Sequence, residues 1–332
     1  MTCENTPAER ITAIRAAQKA YFRSGATLGE RFRRTMLRRL DQALGQWERR
    51  LCDALWEDLH KSPEEAVLTE LSIVRGEVRN HLRHLGRWMR PERRPTPLKL
   101  QPSTSRILSE PLGTALIIAP WNYPVQLLLN PLVGAISAGC TAVLKPSPYT
   151  PYVSATLHAM IAEIYDEEYI AVVEGHREVN TLLLGERWDL IFFTGSPELG
   201  RVVMESAARH LTPVVLELGG KSPCIVDATA NLKVAARRIA FGKWLNVGQT
   251  CVAPDYFLVH ESVADAFADE LATYLLQYYG KRILQCDYYP HMINEHHFNR
   301  VCGLIDNHGP KTRIAFGGGR DRSTLRIEPT IL

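Results

Sequence analysis

Short apolar runs alternate with amphipathic helical patterns from Gly113 onward, and this alternation is the strongest constraint on how the chain can fold. A brief continuous apolar run is typical of a parallel strand that is buried on both faces. Repeated βα units predict a doubly wound parallel sheet, and such sheets bind ligands beyond the carboxyl ends of their strands. The five apolar runs occupy residues 114–119, 141–144, 170–173, 189–193 and 213–216.

The residues before this region have a helical pattern, because apolar side chains recur every three or four positions between residues 8 and 90. A break and restart is predicted at Pro63, with Ser62 as the N-cap and Glu65 as the acid of a capping box. A proline cluster then ends the helical pattern, and residues 98–110 are typical of an extended arm.

These patterns divide an α/β chain into three predicted parts. N-terminal helices and a first α/β domain occupy residues 1–92 and 111–218, with the extended arm at 93–110. A second α/β domain occupies residues 219–332. Its strand and helix patterns lie at 222–226, 232–244, 256–260 and 262–279.

The composition excludes several classes of function. A net charge of +3 over 332 residues is too small to indicate a polyanionic partner. The arginines between residues 31 and 39 are interleaved with acidic residues, so a solvated helix face is favoured over nucleic-acid binding. The seven cysteines include no CxxC pair, which argues against a disulfide framework or a zinc site. No metal site is predicted, and Glu295-His296-His297 is interpreted as a pair of surface histidines.

The sequence shows neither a signal peptide nor an apolar run of about 18 residues that could span a membrane. Membrane association is therefore not visible in the sequence. The cysteine usage suits a reducing compartment, and a cytoplasmic location is the default expectation.

Polar or cationic residues follow the predicted strands. Asn122 lies between two prolines after the first strand, where its amide can donate to an oxyanion or cap the next helix; the residues alone leave both alternatives open. Lys145 follows the second strand and offers a cation to a ribose or a phosphate. Gly195 and Ser196 precede a predicted helix whose N-terminal amides attract phosphate.

A cysteine and a glutamate complete the candidate chemistry. Cys251 follows Gly248-Gln249-Thr250, and Glu217 lies in the run LELGGKSP at 216–223. A cysteine nucleophile needs a lowered pKa or a nearby base, because the thiolate is the reactive form. A carboxylate in an apolar pocket has a raised pKa, which suits a general base near neutral pH. A buried structural cysteine is the commoner case, so the pair alone does not decide between the two interpretations.

Five motifs occur in order along the chain, and together they are specific. This ordered set resembles the aldehyde dehydrogenase superfamily, and the last two motifs are most similar to its class 3 branch. The resemblance runs from about Ala16 to Leu332. It implies a Rossmann-like cofactor domain, a catalytic domain and an oligomerisation arm. It also implies the oxidation of a medium-chain, long-chain or aromatic aldehyde with NAD or NADP. The motifs are PWNYP (120–124), LKPS (144–147), FFTGS (192–196), LELGGKSP (216–223) and GQTCVAPDY (248–256).

The resemblance also implies a role for each candidate residue. Cys251 would attack the aldehyde to give a thiohemiacetal and then a thioester. Asn122 and the backbone N–H of Cys251 would form the oxyanion hole, and Glu217 would activate the water that hydrolyses the thioester. The residues implied to contact the cofactor are Pro120, Trp121, Lys145, Gly195, Ser196, Leu218 and Gly219.

Two departures from the family pattern qualify these expectations. The family usually has a glutamate where this chain has Pro148, and the loss of that carboxylate is expected to weaken NAD binding and reduce discrimination against NADP. The chain also ends at Leu332, before the family's Glu-Glu-Ile-Phe-Gly-Pro motif. We therefore expect an incomplete catalytic domain that forms a homodimer only if the missing C-terminal strand is supplied. The rival hypotheses are a non-catalytic or unstable product of the same fold, and residual ester hydrolysis by Cys251.

Overall fold

The computed structural model describes residues 3–332, which divide into two compact units. The first unit contains the described residues up to Leu51 together with Val67–Glu217. The second unit contains Cys52–Ala66 together with Leu218–Leu332. The sequence-based division placed Cys52–Ala66 in the first domain, whereas the contacts group this segment with the second unit.

Hydrogen bonds explain why this early segment belongs to the second unit. His60 Nε2 lies 2.7 Å from the carbonyl oxygen of Asp287. The backbone N–H of His291 donates to the carbonyl oxygen of Leu59 over 3.3 Å. These contacts join residues more than two hundred positions apart, so the local helical pattern carried no sign of them.

The N-terminal region is helical, as predicted. A π-helical turn, Val67–Leu71, joins its two last helices. The predicted helix restart is confirmed, because the backbone N–H of Glu65 donates to Ser62 Oγ over 3.2 Å. The helices are α1 (Ala8–Arg23), α2 (Glu30–Gln46), α3 (Glu48–Leu59), α4 (Pro63–Ala66) and α5 (Ser72–Trp88).

The predicted arm contains a short antiparallel ribbon. Its strands are β1 (Glu92–Arg94) and β2 (Ser105–Ile107), with Arg93 opposite Arg106. The connecting residues other than Thr96 are exposed, and Leu98 is 89% exposed. The contribution of this arm to oligomerisation stays a prediction.

The first unit is built on a five-stranded sheet in the order β5-β4-β3-β6-β7. Strand β3 lies at its centre and pairs in parallel with β4 and β6, which confirms the doubly wound α/β fold class. Helix α8 was not predicted from the sequence. The elements are β3 (Thr114–Ile118), α6 (Gln126–Ala138), β4 (Thr141–Lys145), α7 (Pro151–Ile164), β5 (Ile170–Val172), α8 (Arg177–Gly185), β6 (Leu190–Gly195), α9 (Pro197–Ala208) and β7 (Val214–Leu218).

Helices cover both faces of this sheet. Helices α6 and α7 pack with α2 and α5 on one face, whereas α1, α8 and α9 lie against the other. All five residues of β3 and all five of β4 are buried, as two-sided coverage requires. Burial on both faces of the sheet therefore explains the continuous apolar sequences of β3 and β4.

The second unit has its own core. Strands β8 and β9 pair in parallel, and helices α10 and α11 pack on each other beside them. A second cluster contains Met292, Phe298 and Ile327, with Val247 packed against it. The elements are β8 (Ser222–Val226), α10 (Leu232–Trp244), β9 (Pro254–Val259), α11 (Ala264–Tyr279), α12 (Glu295–Asp306), β10 (Arg320–Asp321) and β11 (Arg326–Ile327).

Candidate active site

Three neighbouring strands of the first unit end at the same level of the sheet. Ile118 at the end of β3 is in register with Lys145 of β4 and with Phe193 of β6. The backbone N–H of Ala119 donates to the carbonyl oxygen of Lys145 over 3.1 Å. The segments that follow β3, β4 and β6 therefore meet at one edge, where an open parallel sheet binds its ligands.

The turn after β3 carries three of the predicted site residues. Pro120, Trp121 and Asn122 are half-buried and precede α6. The N–H groups of Val125, which precedes α6, and of Gln126, its first residue, donate to Glu70 Oε2 over 2.7 and 3.2 Å. Glu70 therefore supplies an acceptor at this helix start, and the role of Asn122 stays a prediction.

Lys145 ends β4 in a buried position, with 1% of its surface exposed. Its Nζ donates to the carbonyl oxygen of Pro146 over 2.8 Å. Burial lowers the pKa of Lys145 to about 8, although Cys3 and Glu174 oppose this effect. Pro146 is the hydrogen-bond partner of this ammonium within residues 3–332, so it keeps further donors for a ligand.

The end of β6 supplies a second set of donors. Ser196 is the N-cap of α9, and its Oγ accepts the N–H of Leu199 over 3.3 Å. Gly195 is half-buried just before it. The Oγ1 atom of Thr194 is buried and has no hydrogen-bond partner among the described residues. A buried hydroxyl without a partner is costly unless a ligand satisfies it, so this edge fits a ligand rich in oxygen atoms, such as a dinucleotide.

Cys251 is half-buried and follows an unusual turn. Asn246, Val247 and Gly248 have positive φ angles of 51°, 47° and 80° in succession. A β-branched residue such as Val247 strongly disfavours this left-handed region. Strain of this kind persists only where the surrounding structure holds it, and it is common at functional sites.

Several contacts hold this turn within the second unit. Glu65 Oε1 accepts the backbone N–H of Asn246 over 2.6 Å. The side chain of Gln249 donates to the carbonyl oxygen of His291 and accepts the N–H of Ile293, both over 3.2 Å. Together with the packing of Val247 on the small apolar cluster, these contacts fix the chain just before Cys251.

Gly220 and Cys251 lie side by side, just before β8 and β9 respectively. A Cβ atom built on Gly220 would be 2.6 Å from the carbonyl oxygen of Cys251, so only glycine fits there. Lys221 Nζ lies 3.1 Å from Asp255 Oδ2. Leu218 is half-buried and Gly219 is exposed where the chain enters this contact.

Glu217 differs from its expected environment. The sequence-based expectation was a carboxylate in an apolar pocket, but the Glu217 side chain is exposed. Strand β7 lies at the edge of the sheet, and its side chains alternate between half-buried and exposed positions. Glu217 occupies one of the exposed positions, so the expectation of a desolvated carboxylate was wrong.

Sequence reasoning missed three residues that support these segments. Glu65 was assigned only a capping role, and Glu70 and Thr194 were given no role. Glu65 and Glu70 accept hydrogen bonds from residues that are distant in sequence. Thr194 has a buried hydroxyl oxygen without a hydrogen-bond partner among the described residues. A buried acid in an amphipathic helix was the one available signal for Glu70, which is fully buried.

Comparison with known proteins decides the family. Residues 2–332 match the aldehyde dehydrogenase family over nearly the whole chain. The chain belongs to the aldehyde dehydrogenase family. The resemblance based on the five motifs is therefore confirmed.

Individual relatives agree with this family. The chain is 44% identical over 314 residues to 4,4'-diaponeurosporen-aldehyde dehydrogenase of Staphylococcus aureus, covering 95% of this chain and 68% of the relative. It is 39% identical over 327 residues to the dimeric NADP-preferring aldehyde dehydrogenase of Canis lupus familiaris, covering 97% of this chain and 70% of the relative. The solved structure of substrate-bound Staphylococcus aureus AldH aligns with a TM-score of 0.92 at 43% identity, over 96% of this chain and 69% of that one.

The chain spans about two thirds of the length of the relatives it matches, with coverage from 57% to 70%. Members of this aldehyde dehydrogenase family use NAD or NADP. No helix within residues 3–332 is long and apolar enough to cross a membrane. The same residues contain no group of three or more histidine, cysteine or acidic side chains that could hold a metal ion.

Proposed function

We propose that this aldehyde dehydrogenase family member oxidises an aliphatic or aromatic aldehyde to its carboxylic acid with NAD or NADP. The observation that carries the proposal is the contact between Gly220 and the carbonyl oxygen of Cys251, which joins the family's two most specific motifs. Family membership over residues 2–332 supports the same reaction class.

The thiol of Cys251 is the proposed nucleophile. Its thiolate attacks the carbonyl carbon of the aldehyde, and the carbonyl oxygen becomes the oxyanion of a thiohemiacetal. The amide of Asn122 and the backbone N–H of Cys251 stabilise this charge, which assists departure of the hydride. Cys251 is half-buried and forms no disulfide within the described chain, so its thiol is available for this reaction.

Glu217 is the proposed base for the second half of the reaction. The thioester on Cys251 reacts with a water molecule whose proton passes to the Glu217 carboxylate, which releases the carboxylic acid and regenerates the thiol. An exposed carboxylate can take this proton without a desolvated pocket.

The carboxyl edge of the sheet is the proposed cofactor site. NAD or NADP, when bound, supplies the acceptor for the hydride. Lys145 is suited to the adenine ribose, because its ammonium has donors left for a ligand. Thr194, Gly195 and Ser196 surround the N-terminus of α9, which suits the pyrophosphate. By the family pattern Pro120, Trp121, Leu218 and Gly219 complete this set.

Pro148 is the proposed reason for relaxed cofactor selectivity. It follows Ser147 in the turn after β4, where the family usually has a glutamate. A proline has no acceptor for the ribose hydroxyls and no charge to repel a 2′-phosphate. We therefore propose that the chain accepts both NAD and NADP.

Two further expectations belong to this proposal. The Canis lupus familiaris relative is named as a dimeric enzyme, and we propose that this chain likewise forms a homodimer. The cysteine usage favours a reducing compartment, so we propose a cytoplasmic location.

The test is the absorbance of the reduced nicotinamide when the purified chain receives a medium-chain or aromatic aldehyde with NAD or, separately, NADP. The proposal requires turnover that is lost in Cys251→Ala. Turnover that persists in Cys251→Ala, or a folded chain with no turnover, contradicts it.

Ester hydrolysis is the second candidate, because the exposed Glu217 and the turn at Cys251 do not depend on a bound cofactor. A chromogenic ester supplied without NAD or NADP tests this activity. Hydrolysis that requires Cys251 in a chain that does not oxidise aldehydes would establish the second candidate over the first.

A further inference from the structure

The turn before Cys251 is strained, and the carboxylate of Glu65 accepts a hydrogen bond from its backbone. Asn246 and Val247 hold left-handed φ angles of 51° and 47°, which cost energy for residues other than glycine. The Asn246 side chain and backbone are fully buried. Glu65 Oε1 accepts the N–H of Asn246 over 2.6 Å, a short bond, and hydrogen bonds to charged acceptors are shorter than those between neutral groups.

We infer that Glu65 is a positioning residue for Cys251. The carboxylate acts through the turn and does not need to touch the aldehyde or the cofactor. This inference rests on the proposed function only for the role given to Cys251.

The backbone of Glu65 is itself fixed. Its N–H donates to Ser62 Oγ over 3.2 Å, and the N–H of Ala66 donates to the carbonyl oxygen of Ser62 over 2.8 Å. The preceding turn is tied down by His60, whose Nε2 lies 2.7 Å from the carbonyl oxygen of Asp287. Glu65 therefore presents its carboxylate from a supported helix end.

The opposite end of the turn is held by the same part of the unit. Gln249 binds the backbone of His291 and Ile293, and the N–H of His291 donates to the carbonyl oxygen of Leu59. The residues at positions 246 and 249 are thus fixed on both sides of Val247 and Gly248. Loss of the Glu65 bond removes the support at position 246 and leaves a buried N–H without this acceptor.

Three substitutions separate the hydrogen bond from the charge. Glu65→Ala removes the acceptor, and Glu65→Asp withdraws it by one methylene group. Glu65→Gln keeps an oxygen at the same position without the charge. The matched control is Glu64→Ala, because Glu64 is an exposed glutamate on the same helix.

The first measurement is backbone amide exchange in the peptide that spans residues 246–251, read by mass spectrometry. We expect exchange to be about tenfold faster in Glu65→Ala and Glu65→Asp, and close to that of the unsubstituted chain in Glu65→Gln and Glu64→Ala. Exchange in α12 shows whether each variant is folded. If Glu65→Ala does not fold, Glu65→Asp decides by the same criterion.

The second measurement is the separation of kcat from KM in aldehyde oxidation. A displaced nucleophile lowers kcat by about tenfold while the aldehyde KM changes by less than about twofold, and Glu65→Gln restores most of the rate. Unchanged exchange in both acceptor-removing variants would overturn the inference, as would faster exchange with an unchanged kcat. If the unsubstituted chain shows no turnover, the proposed function fails, whereas the exchange result still decides whether Glu65 orders the turn.

Discussion

Replacement of Gly220 by alanine is expected to reduce turnover strongly, because the new methyl group would collide with the backbone of Cys251. The Cβ atom would lie 2.6 Å from the Cys251 carbonyl oxygen, whereas an ordinary van der Waals contact begins at 3.4 Å. The obstacle is backbone, so no side chain can rotate away. Either strand β8 or the Cys251 segment must shift by most of an ångström.

A shift of this size has different consequences for stability and for catalysis. Overpacking of this kind typically costs about 1–3 kcal/mol in the free energy of unfolding. A displacement of about 1 Å at a reacting group can reduce the rate by about 100-fold. We therefore expect Gly220→Ala to remain folded and to lose about 100-fold in kcat/KM for aldehyde oxidation.

The assay compares Gly220→Ala with Gly303→Ala, which makes the same substitution in helix α12. The nearest neighbour to a Cβ atom at Gly303 is Asn307 Nδ2 at 3.8 Å, so the methyl group fits. Helix propensity predicts that Gly303→Ala gains up to about 1 kcal/mol in the free energy of unfolding. A folded Gly220→Ala variant that retains kcat/KM within about threefold would refute the proposed link between this contact and the nucleophile.

Three further predictions concern Glu70, Lys145 and Pro148. Glu70→Ala leaves the N–H groups of Val125 and Gln126 without their acceptor, so urea titration should show a loss of about 2 kcal/mol in the free energy of unfolding, with smaller loss in Glu70→Gln. Burial lowers the pKa of Lys145 from 10.5 to about 8, so the unfolded chain binds more protons between these pH values and stability should rise with pH across them. In parallel urea titrations, Lys145→Met should lack this increase of up to about 3 kcal/mol in the free energy of unfolding. The same pH dependence in both proteins would contradict the lowered pKa of Lys145. Pro148→Glu should raise the kcat/KM ratio of NAD to NADP by about tenfold, and an unchanged ratio would show that this position does not select the cofactor.

Elements with local signals were predictable from the sequence. Helices α7 and α9 begin at Pro151 and Pro197, because proline suits the first helical position. Strands β3 and β4 were visible as apolar runs because both faces of the sheet are covered. Helix α8 was missed, and with nine residues it is shorter than α7 and α9.

The parts that were not predictable depend on contacts between distant positions. Glu65 and Asn246 are separated by 181 positions, so the capping pattern around Glu65 concealed its second role. The left-handed turn is equally hidden, because Val247 would normally argue against such a conformation. Its packing against Met292 and Phe298 becomes visible only in the folded chain.

For Glu217, the sequence indicated the chemical role but not the environment. Its motif identified it as the candidate base, whereas its environment depends on the alternation of β7 at the sheet edge. A motif indicates the chemistry of a residue, but burial is a property of the assembled sheet. The expected apolar pocket is therefore not observed around Glu217, whereas its role as the general base stays a prediction.

The central claim is that Cys251 carries the acyl group and that Glu217 activates the water that removes it. The most direct measurement is mass spectrometry of the Glu217→Gln variant after incubation with aldehyde and NAD or NADP. The account predicts an acyl adduct that accumulates on the Cys251 peptide and is absent in Glu217→Gln combined with Cys251→Ala. An adduct on another residue, or product formation at the unsubstituted rate without any adduct on Cys251, would contradict it.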